Sequence, residues 1–298
     1  MTIRYRSTRS LPGALAASAL AASALAASVL APVAAAGAAR AAAHPRPGYI
    51  TGTARTRCGR PLRSFAVNAY GFDGQPNVFP SGSPPLGSAR GHNGTYALRT
   101  VDYRSHRPVN ALVDSVEGTA RLRYQGHTYS VPLAPTDGRA NFAGHSGRGI
   151  VRNFVLATSG VRPGDGSYRN QQTVGVGSPA ESAFYGASVL MFLSLGDVPG
   201  QTLTVAFTPL TRTLADGCRA RAFTRSITLG PYQGNENFVF QDIPLGYYRL
   251  SAMLTGATPR TVMLQLDYNQ QPSATVDFRP LPTSEFPDGS GSVNVYAS

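Results

Sequence analysis

A proline–glycine turn that leads into an alternating strand is the feature that most constrains the fold of this chain. Pro244-Leu245-Gly246 interrupts any regular element, because proline lacks an N–H and glycine tolerates positive φ. Bulky and polar side chains then alternate, with Tyr248, Leu250, Ala252 and Leu254 on one face and Arg249, Ser251 and Met253 on the other. This period of two predicts a half-buried strand in a β-sandwich.

Short β-rich runs separated by turn residues recur along the rest of the chain, and no segment after the N-terminal region favours a helix. Glycine and proline are abundant, with 32 and 23 residues. Together these features predict an all-β fold. The predicted strands cover residues 49–54, 64–70, 95–101, 109–113, 120–124, 128–133, 150–157, 187–195, 201–209, 222–229, 237–241, 247–254, 261–266 and 274–278.

The N-terminal segment has the composition of a secretory signal peptide. Arg4, Arg6 and Arg9 precede an Ala/Leu/Ser run, and small residues near Ala36 and Ala43 offer cleavage sites. An uncleaved membrane anchor is the alternative, although Ala and Ser contribute little to insertion. Residues 1–43 are therefore expected to direct export to the periplasm, cell envelope or medium, and the mature chain is expected to have no membrane span.

The charge of the mature chain favours anionic partners without indicating where they bind. All 27 basic residues are arginine, and four precede His44, which leaves 23 against 15 acidic residues and a net charge of +8. Such an excess suits anionic envelope polymers. The arginines are spread along the sequence without interleaved aromatics, so nucleic acid is not an expected partner.

Two cysteines in an exported chain raise the question of a disulfide. Cys58 and Cys218 each follow a strand-like run, and a bridge would join the two halves of the chain. Bonding requires Cα atoms within about 7 Å. The sequence leaves a disulfide and two separate thiols open.

The two halves of the mature chain share a series of motifs. They lie at residues 49–53, 58–62, 65–70 and 93–98 in the first half, and at 203–207, 216–218, 222–229 and 244–250 in the second. At these residues the chain resembles the carboxypeptidase regulatory-like domains, a transthyretin-like β-sandwich family with a G-x-P-L turn and a G-x-Y-x-L strand. Cys58 and Cys218 depart from the family pattern.

The resemblance implies two immunoglobulin/transthyretin-like β-sandwich domains in tandem. Their expected bounds are residues 44–135 and 187–280, with a connecting region of one strand at 136–186 and a flexible tail at 281–298. Such domains are typically non-catalytic envelope modules similar to starch-binding domains. The resemblance therefore implies binding of carbohydrate or of a cell-surface component.

The sequence contains no recognisable catalytic or metal-binding motif. No histidine is followed three residues later by a glutamate, as a zinc peptidase requires. The segment around Ser146 lacks the second glycine of a nucleophile elbow, and without lysine the chain has no P-loop. We expect no metal or cofactor, and a hydrolase with a spatially assembled site is the least favoured class.

Aromatic and arginine side chains near turns are the remaining candidates for binding. Arg121, Arg123, Tyr124 and Tyr247 are the predicted contacts for a cell-surface polysaccharide, although rings at strand ends more often cover a core. Tyr70, Phe72, Tyr232 and Tyr248 also border turns. The alternative function is docking on another envelope protein through a free sheet edge.

Overall fold

The described chain is built almost entirely from β-strands. The computed structural model describes residues 44–72, 85–101, 111–139, 144–181, 183–256, 259–266, 270–280 and 292–296. Its only helical elements within these ranges are three single turns of 3-10 helix, at Ser146–Arg148, Gly166–Tyr168 and Gln233–Asn235. The all-β prediction is confirmed, whereas the predicted signal peptide at 1–43 lies outside the described residues.

The first sheet contains nine strands: β1 (Tyr49–Arg55), β2 (Ser64–Phe72), β3 (Gly87–His92), β4 (Thr95–Arg99), β5 (Leu112–Tyr124), β6 (His127–Pro135), β7 (Gly144–His145), β8 (Ile150–Val151) and β9 (Phe154–Leu156). Seven of them pair in the order β2-β3-β4-β1-β9-β6-β5, and β5 also pairs with β2. The sheet therefore closes into a barrel-like unit and has no free edge along this ring.

Close approach of two backbone segments explains a glycine in β1. A Cβ on Gly52 would overlap the carbonyl oxygen of Arg152, which accepts a hydrogen bond of 2.8 Å from the Tyr96 hydroxyl. Only glycine lets β1 pass this carbonyl without displacing it. The site fixes the entry to β9, which runs parallel to β1.

The second half contains eleven further strands: β10 (Gly160–Val161), β11 (Thr173–Gly175), β12 (Phe184–Tyr185), β13 (Ala187–Ser194), β14 (Thr202–Pro209), β15 (Phe223–Thr228), β16 (Asn237–Ile243), β17 (Tyr248–Thr255), β18 (Arg260–Gln265), β19 (Thr275–Phe278) and β20 (Ser292–Tyr296). β10 and β12 form a small two-stranded sheet. The others form the second large sheet, in the order β11-β16-β13-β20-β18-β17-β14-β15, with β19 paired to β17.

The described strands of the second sheet leave a seam between its two end strands, β11 and β15, and Arg225 of β15 reaches across this seam. Its Nε donates to the Gln241 carbonyl at 3.0 Å, and its Nη2 donates to the Asp242 carbonyl at 2.7 Å. The same Nη2 lies 3.5 Å from the Asp242 carboxylate. A side chain of β15 therefore donates hydrogen bonds to two backbone carbonyls of β16. The second sheet is barrel-like, but the described strands do not close it with backbone hydrogen bonds at this seam.

A single apolar cluster extends from the first sheet into the second. Alternating residues of the predicted strands supply it, including Ile50, Val67, Leu203, Phe207 and Leu250, all fully buried. By their contacts the described residues belong to one compact unit. One core connects the two sheets that the predicted domains would contain. The bounds of those two domains therefore remain a prediction.

The structure differs from the strand predictions in four places. β5 is continuous through Gly118, where the sequence predicts two strands, and β3 is not predicted at all. The predicted connecting region contains six short strands, β7 to β12, among its described residues. The predicted flexible tail contributes β20, which lies between β13 and β18 with Val295 fully buried.

Candidate functional site

A groove at the junction of the two sheets brings together two of the four predicted binding residues. Its volume is about 270 Å³, and it lies between the end of β5 and the turn before β17. Tyr124 comes from the first sheet and Tyr247 from the second. The other lining residues are Gln125, Thr211, Thr213, Leu214, Ala215, Gly246 and Arg279.

Tyr124 links the two sheets at the floor of this groove. The residue is half-buried, and its hydroxyl donates a hydrogen bond of 2.7 Å to the carbonyl of Gly246. Burial raises the pKa of the Tyr124 phenol above its ordinary value of 10.0. The hydroxyl therefore remains a neutral donor at physiological pH, and the ring is held by a contact from each sheet.

The Arg279 guanidinium lies over one face of the Tyr247 ring. The Cζ of Arg279 lies 4.0 Å from the ring centroid, which is cation–π geometry. The Tyr247 hydroxyl donates to Asp277 at 3.1 Å, and the same carboxylate accepts from Arg249 at 2.9 Å. The hydrogen bond from Arg249 holds the pKa of Asp277 below its ordinary value, so this carboxylate is charged at neutral pH.

The loop of residues 210–222, between β14 and β15, forms the opposite wall of the groove. The N–H of Leu214 donates to the Cys218 carbonyl at 2.8 Å, and the N–H of Ala215 donates to the Leu245 carbonyl at 2.8 Å. The buried carboxylate of Asp216 accepts from the Cys218 N–H and from the Thr158 hydroxyl, both at 2.9 Å. These bonds hold the wall in one position relative to the Tyr247 turn.

A disulfide ties this loop to the first sheet. Cys58 and Cys218 are bonded, with their Cα atoms 5.6 Å apart. Of the two alternatives that the sequence leaves open, the structure has the bridge. The disulfide and the Tyr124 hydrogen bond thus join the two sheets on either side of the loop 210–222.

Arg121 and Arg123 lie on β5 but not in the groove. Both are exposed and alternate with buried Ala120 and Leu122, so they are on the outer face of the closed sheet. Tyr124 follows Arg123 directly and therefore points to the opposite side of the strand. The structure brings Tyr124 together with Tyr247 and separates both from the two arginines.

The other aromatic residues named from the sequence lie outside the groove lining. Tyr248 is fully buried, edge-on to the stacked rings of Phe207 and Phe223, and so belongs to the core. Tyr232 is 79% exposed at a left-handed turn. Tyr70 is partly exposed on β2, and only the backbone of Phe72 is described.

Among the described residues, no group of three or more His, Cys, Asp or Glu side chains lies close enough to hold a metal ion. In the same ranges, no helix has both the length and the apolar character needed to cross a membrane. Neither finding identifies a chemical activity. The groove contains hydroxyl, amide and guanidinium groups around aromatic rings, which suits binding.

Sequence reasoning missed most of the groove. Arg279 follows β19 directly, and Thr211, Thr213 and Leu214 belong to a loop with no distinguishing pattern. The only local signal near them was the turn motif at Gly246. Their convergence depends on contacts between residues more than a hundred positions apart, such as Tyr124 with Gly246.

Comparison with known proteins leaves the family open. No protein-family model matches the sequence, and no curated protein matches it significantly. Among solved structures, the major pilin protein of Streptococcus pyogenes aligns over 85% of this chain and 97% of its own, at 9% identity and a TM-score of 0.25. The shaft pilin SpaA of Lactobacillus rhamnosus GG aligns over 86% and 98%, at 10% identity and a TM-score of 0.20.

A putative cell adhesion protein of Bacteroides ovatus aligns over 80% of this chain and 98% of its own, at 8% identity and a TM-score of 0.23. TM-scores of this size carry no argument about function. The resemblance to carboxypeptidase regulatory-like domains remains a prediction. The groove is therefore the feature of this chain that best indicates a function.

Proposed function

We propose that this chain is a non-catalytic, exported β-protein that binds carbohydrate in the groove between its two sheets. One observation supports this most directly: Tyr124 and Tyr247, from different sheets, line one groove together with hydroxyl, amide and guanidinium groups. A sugar ring presents apolar C–H faces and polar edges, and this lining offers a partner for each.

The groove combines exposed polar residues with an apolar wall, and it is open to solvent. Thr211, Thr213, Gln125 and Arg279 are all exposed. Two of these side chains already bond to backbone carbonyls of the groove, since the Thr211 hydroxyl donates to Thr213 at 2.9 Å and the Gln125 amide donates to Arg279 at 3.5 Å. Leu214 and Ala215 supply the apolar wall between them. A polysaccharide segment, which remains partly solvated when bound, suits a groove of this kind.

The test is retention of the purified mature chain on a panel of immobilised neutral polysaccharides, namely β-glucan, mannan, starch and dextran. We expect at least one to bind, and we expect Tyr247→Ala to weaken that binding by about tenfold, the loss typical of a central aromatic contact. Tyr232→Ala is the matched control, because its exposed ring lies outside the groove. Absence of binding to every glycan, or an equal loss in both variants, would refute the proposal.

Docking through a sheet edge is the alternative, and one observation favours it. Among the described strands, β15 pairs only with β14, so one of its edges faces the seam. Arg225 already contacts carbonyls across that seam and would have to move before another strand could pair there. A pull-down from envelope extract that survives Tyr247→Ala and is lost with a proline in β15 would support docking over carbohydrate binding.

A further inference from the structure

The disulfide gathers arginines that are scattered in the sequence into one exposed surface. It joins residues 56–63, the loop between β1 and β2, to the loop 210–222. Each loop carries three exposed arginines. This surface, the basic rim, consists of Arg57, Arg60, Arg63, Arg212, Arg219 and Arg221.

Backbone hydrogen bonds hold both loops in compact form. In the first, the N–H of Thr56 donates to the Arg60 carbonyl at 2.8 Å. In the second, the N–H of Ala220 donates to the Arg212 carbonyl at 3.0 Å. The Arg60 guanidinium reaches the second loop, with Nη1 3.3 Å from the position that a Cβ on Gly217 would occupy. The six side chains therefore start from backbones that are fixed next to one another.

Few acidic residues lie close to the basic rim: Asp242 is near enough for Arg57 to oppose the rise in the pKa of its buried carboxyl. Asp216 is the only acid in either loop, and its buried carboxylate already accepts hydrogen bonds from Cys218 and Thr158. Within the described ranges, none of the six arginines forms an ion pair, since the three ion pairs found there use Arg152, Arg225 and Arg249. Clustered like charges repel one another, so an anionic partner would relieve this repulsion.

The chemistry of the rim indicates which anion it fits. Guanidinium groups bind carboxylate and phosphate through paired hydrogen bonds. Neither loop contains Phe, Tyr or Trp, so the rim offers no ring on which a nucleic-acid base could stack. We propose that the basic rim is a second binding site, separate from the residues that line the groove, for an anionic envelope polymer that carries repeating carboxylate or phosphate groups.

The experiment measures binding of the full mature chain to polygalacturonate and to poly(glycerol phosphate), with dextran and a single-stranded DNA oligomer as comparators. At least one of the two anionic polymers should bind, and its Kd should rise steeply between about 50 mM and about 200 mM salt, because counterions are released on binding. Arg57→Gln, Arg212→Gln and Arg219→Gln should each weaken binding by about two- to fivefold, and the triple variant by at least about tenfold.

A charge-matched variant separates a local site from general attraction. Arg99→Gln, Arg148→Gln and Arg169→Gln together remove the same charge from exposed residues that lie in neither loop. This triple variant should retain most of the affinity. An equal loss in both triple variants would show that net charge, not the rim, is responsible, and would overturn the proposal.

Four further outcomes also decide the matter. Failure of both anionic polymers to bind, or tighter binding of DNA through the same arginines, would overturn the proposal. Loss of polyanion binding in Tyr247→Ala but not in the rim variant would show that the anionic polymer binds in the groove. The rim proposal would then be wrong, and the proposed function would still stand. Polyanion binding that survives Tyr247→Ala would support two separate sites.

Discussion

Breaking the Cys58–Cys218 disulfide should produce a large loss of stability. The bridge joins residues 160 positions apart and connects the loops at one end of the two sheets. In the reduced chain, the unfolded state regains the freedom of that entire loop. The folded state keeps its strand ladders, its shared core and the Tyr124 hydrogen bond to Gly246.

The magnitude follows from the entropy of closing the loop. For a closed loop of this length, the chain-entropy relation gives about 17 cal/mol/K, or about 5 kcal/mol at 25 °C. Residual structure in the unfolded chain reduces this value, and removal of native disulfides costs about 2–5 kcal/mol in practice. Since a whole domain is stable by only about 5–15 kcal/mol, the reduced protein should unfold at a clearly lower denaturant concentration.

Guanidinium denaturation followed by far-ultraviolet circular dichroism and tyrosine fluorescence measures this loss, because the chain has no tryptophan. Three samples are compared: the oxidised protein, the same protein with reductant, and a Cys58→Ala/Cys218→Ala variant. The second isolates the bond from the side-chain change, which matters because Cys218 is buried. Reductant should lower the midpoint of the first sample and leave that of the variant unchanged.

A difference below about 1 kcal/mol between oxidised and reduced protein would refute this reasoning, since the unfolded chain would then have to be constrained by something other than the bridge. Recovery of both cysteines as free thiols in tryptic fragments of protein taken from the envelope would refute the bridge itself.

Three other changes test separate parts of the fold. Gly52→Ala should destabilise the protein by about 1–3 kcal/mol, because its Cβ would overlap a backbone carbonyl, whereas Gly175→Ala, with open space around it, should cost less than about 1 kcal/mol in the same denaturation assay. Tyr248→Phe should lose about 1 kcal/mol with its partly buried hydrogen bond to the Pro244 carbonyl, and Tyr247→Phe, whose hydroxyl bond is exposed, should lose less than about 0.5 kcal/mol. The reverse order in the same assay would contradict the difference in burial between the two hydrogen bonds. Burial raises the pKa of Asp242 above its ordinary 3.8, so the folded state binds this proton more tightly than the unfolded state, and the resulting stabilisation is present at acid pH and lost as the pH rises through the folded pKa. Urea midpoints of Asp242→Asn measured from about pH 3.5 to about pH 7 should therefore fall less with rising pH than those of the unchanged protein, and parallel curves would contradict this assignment.

Local alternation made most of the strands predictable. In β14 and β17 the apolar residues recur at every second position, and the structure buries the expected side, with Leu203, Val205 and Phe207 facing Leu250 and Leu254. This pattern is written in consecutive residues and needs no tertiary information. The same reasoning identified the turn before β17.

Pairing between distant strands was not predictable in the same way. Closure of the first sheet depends on β2 pairing with β5, and the second sheet is continuous because β20 lies between β13 and β18. Residues 292–296 are a Ser-Val-Asn-Val-Tyr run that follows a Pro- and Gly-containing segment, so composition alone favoured a tail. Val295 is fully buried between two partners that lie well before it in the chain, Leu193 of β13 and Leu264 of β18.

Both candidate sites depend on the loop 210–222, and this follows from where the disulfide holds it. One set of loop residues, Thr211 to Ala215 without Arg212, lines the groove, while Arg212, Arg219 and Arg221 join arginines of the first sheet in the basic rim. The wall of the groove is also bonded to the Leu245 carbonyl, a contact that reduction leaves in place. The two halves of the rim are held side by side mainly by the bridge, with the hydrogen bond from Thr158 to Asp216 as a second link between the first half of the chain and the loop 210–222. Reduction under conditions that preserve the fold should therefore weaken polyanion binding more than neutral glycan binding, because only the rim needs both loops to face the same ligand.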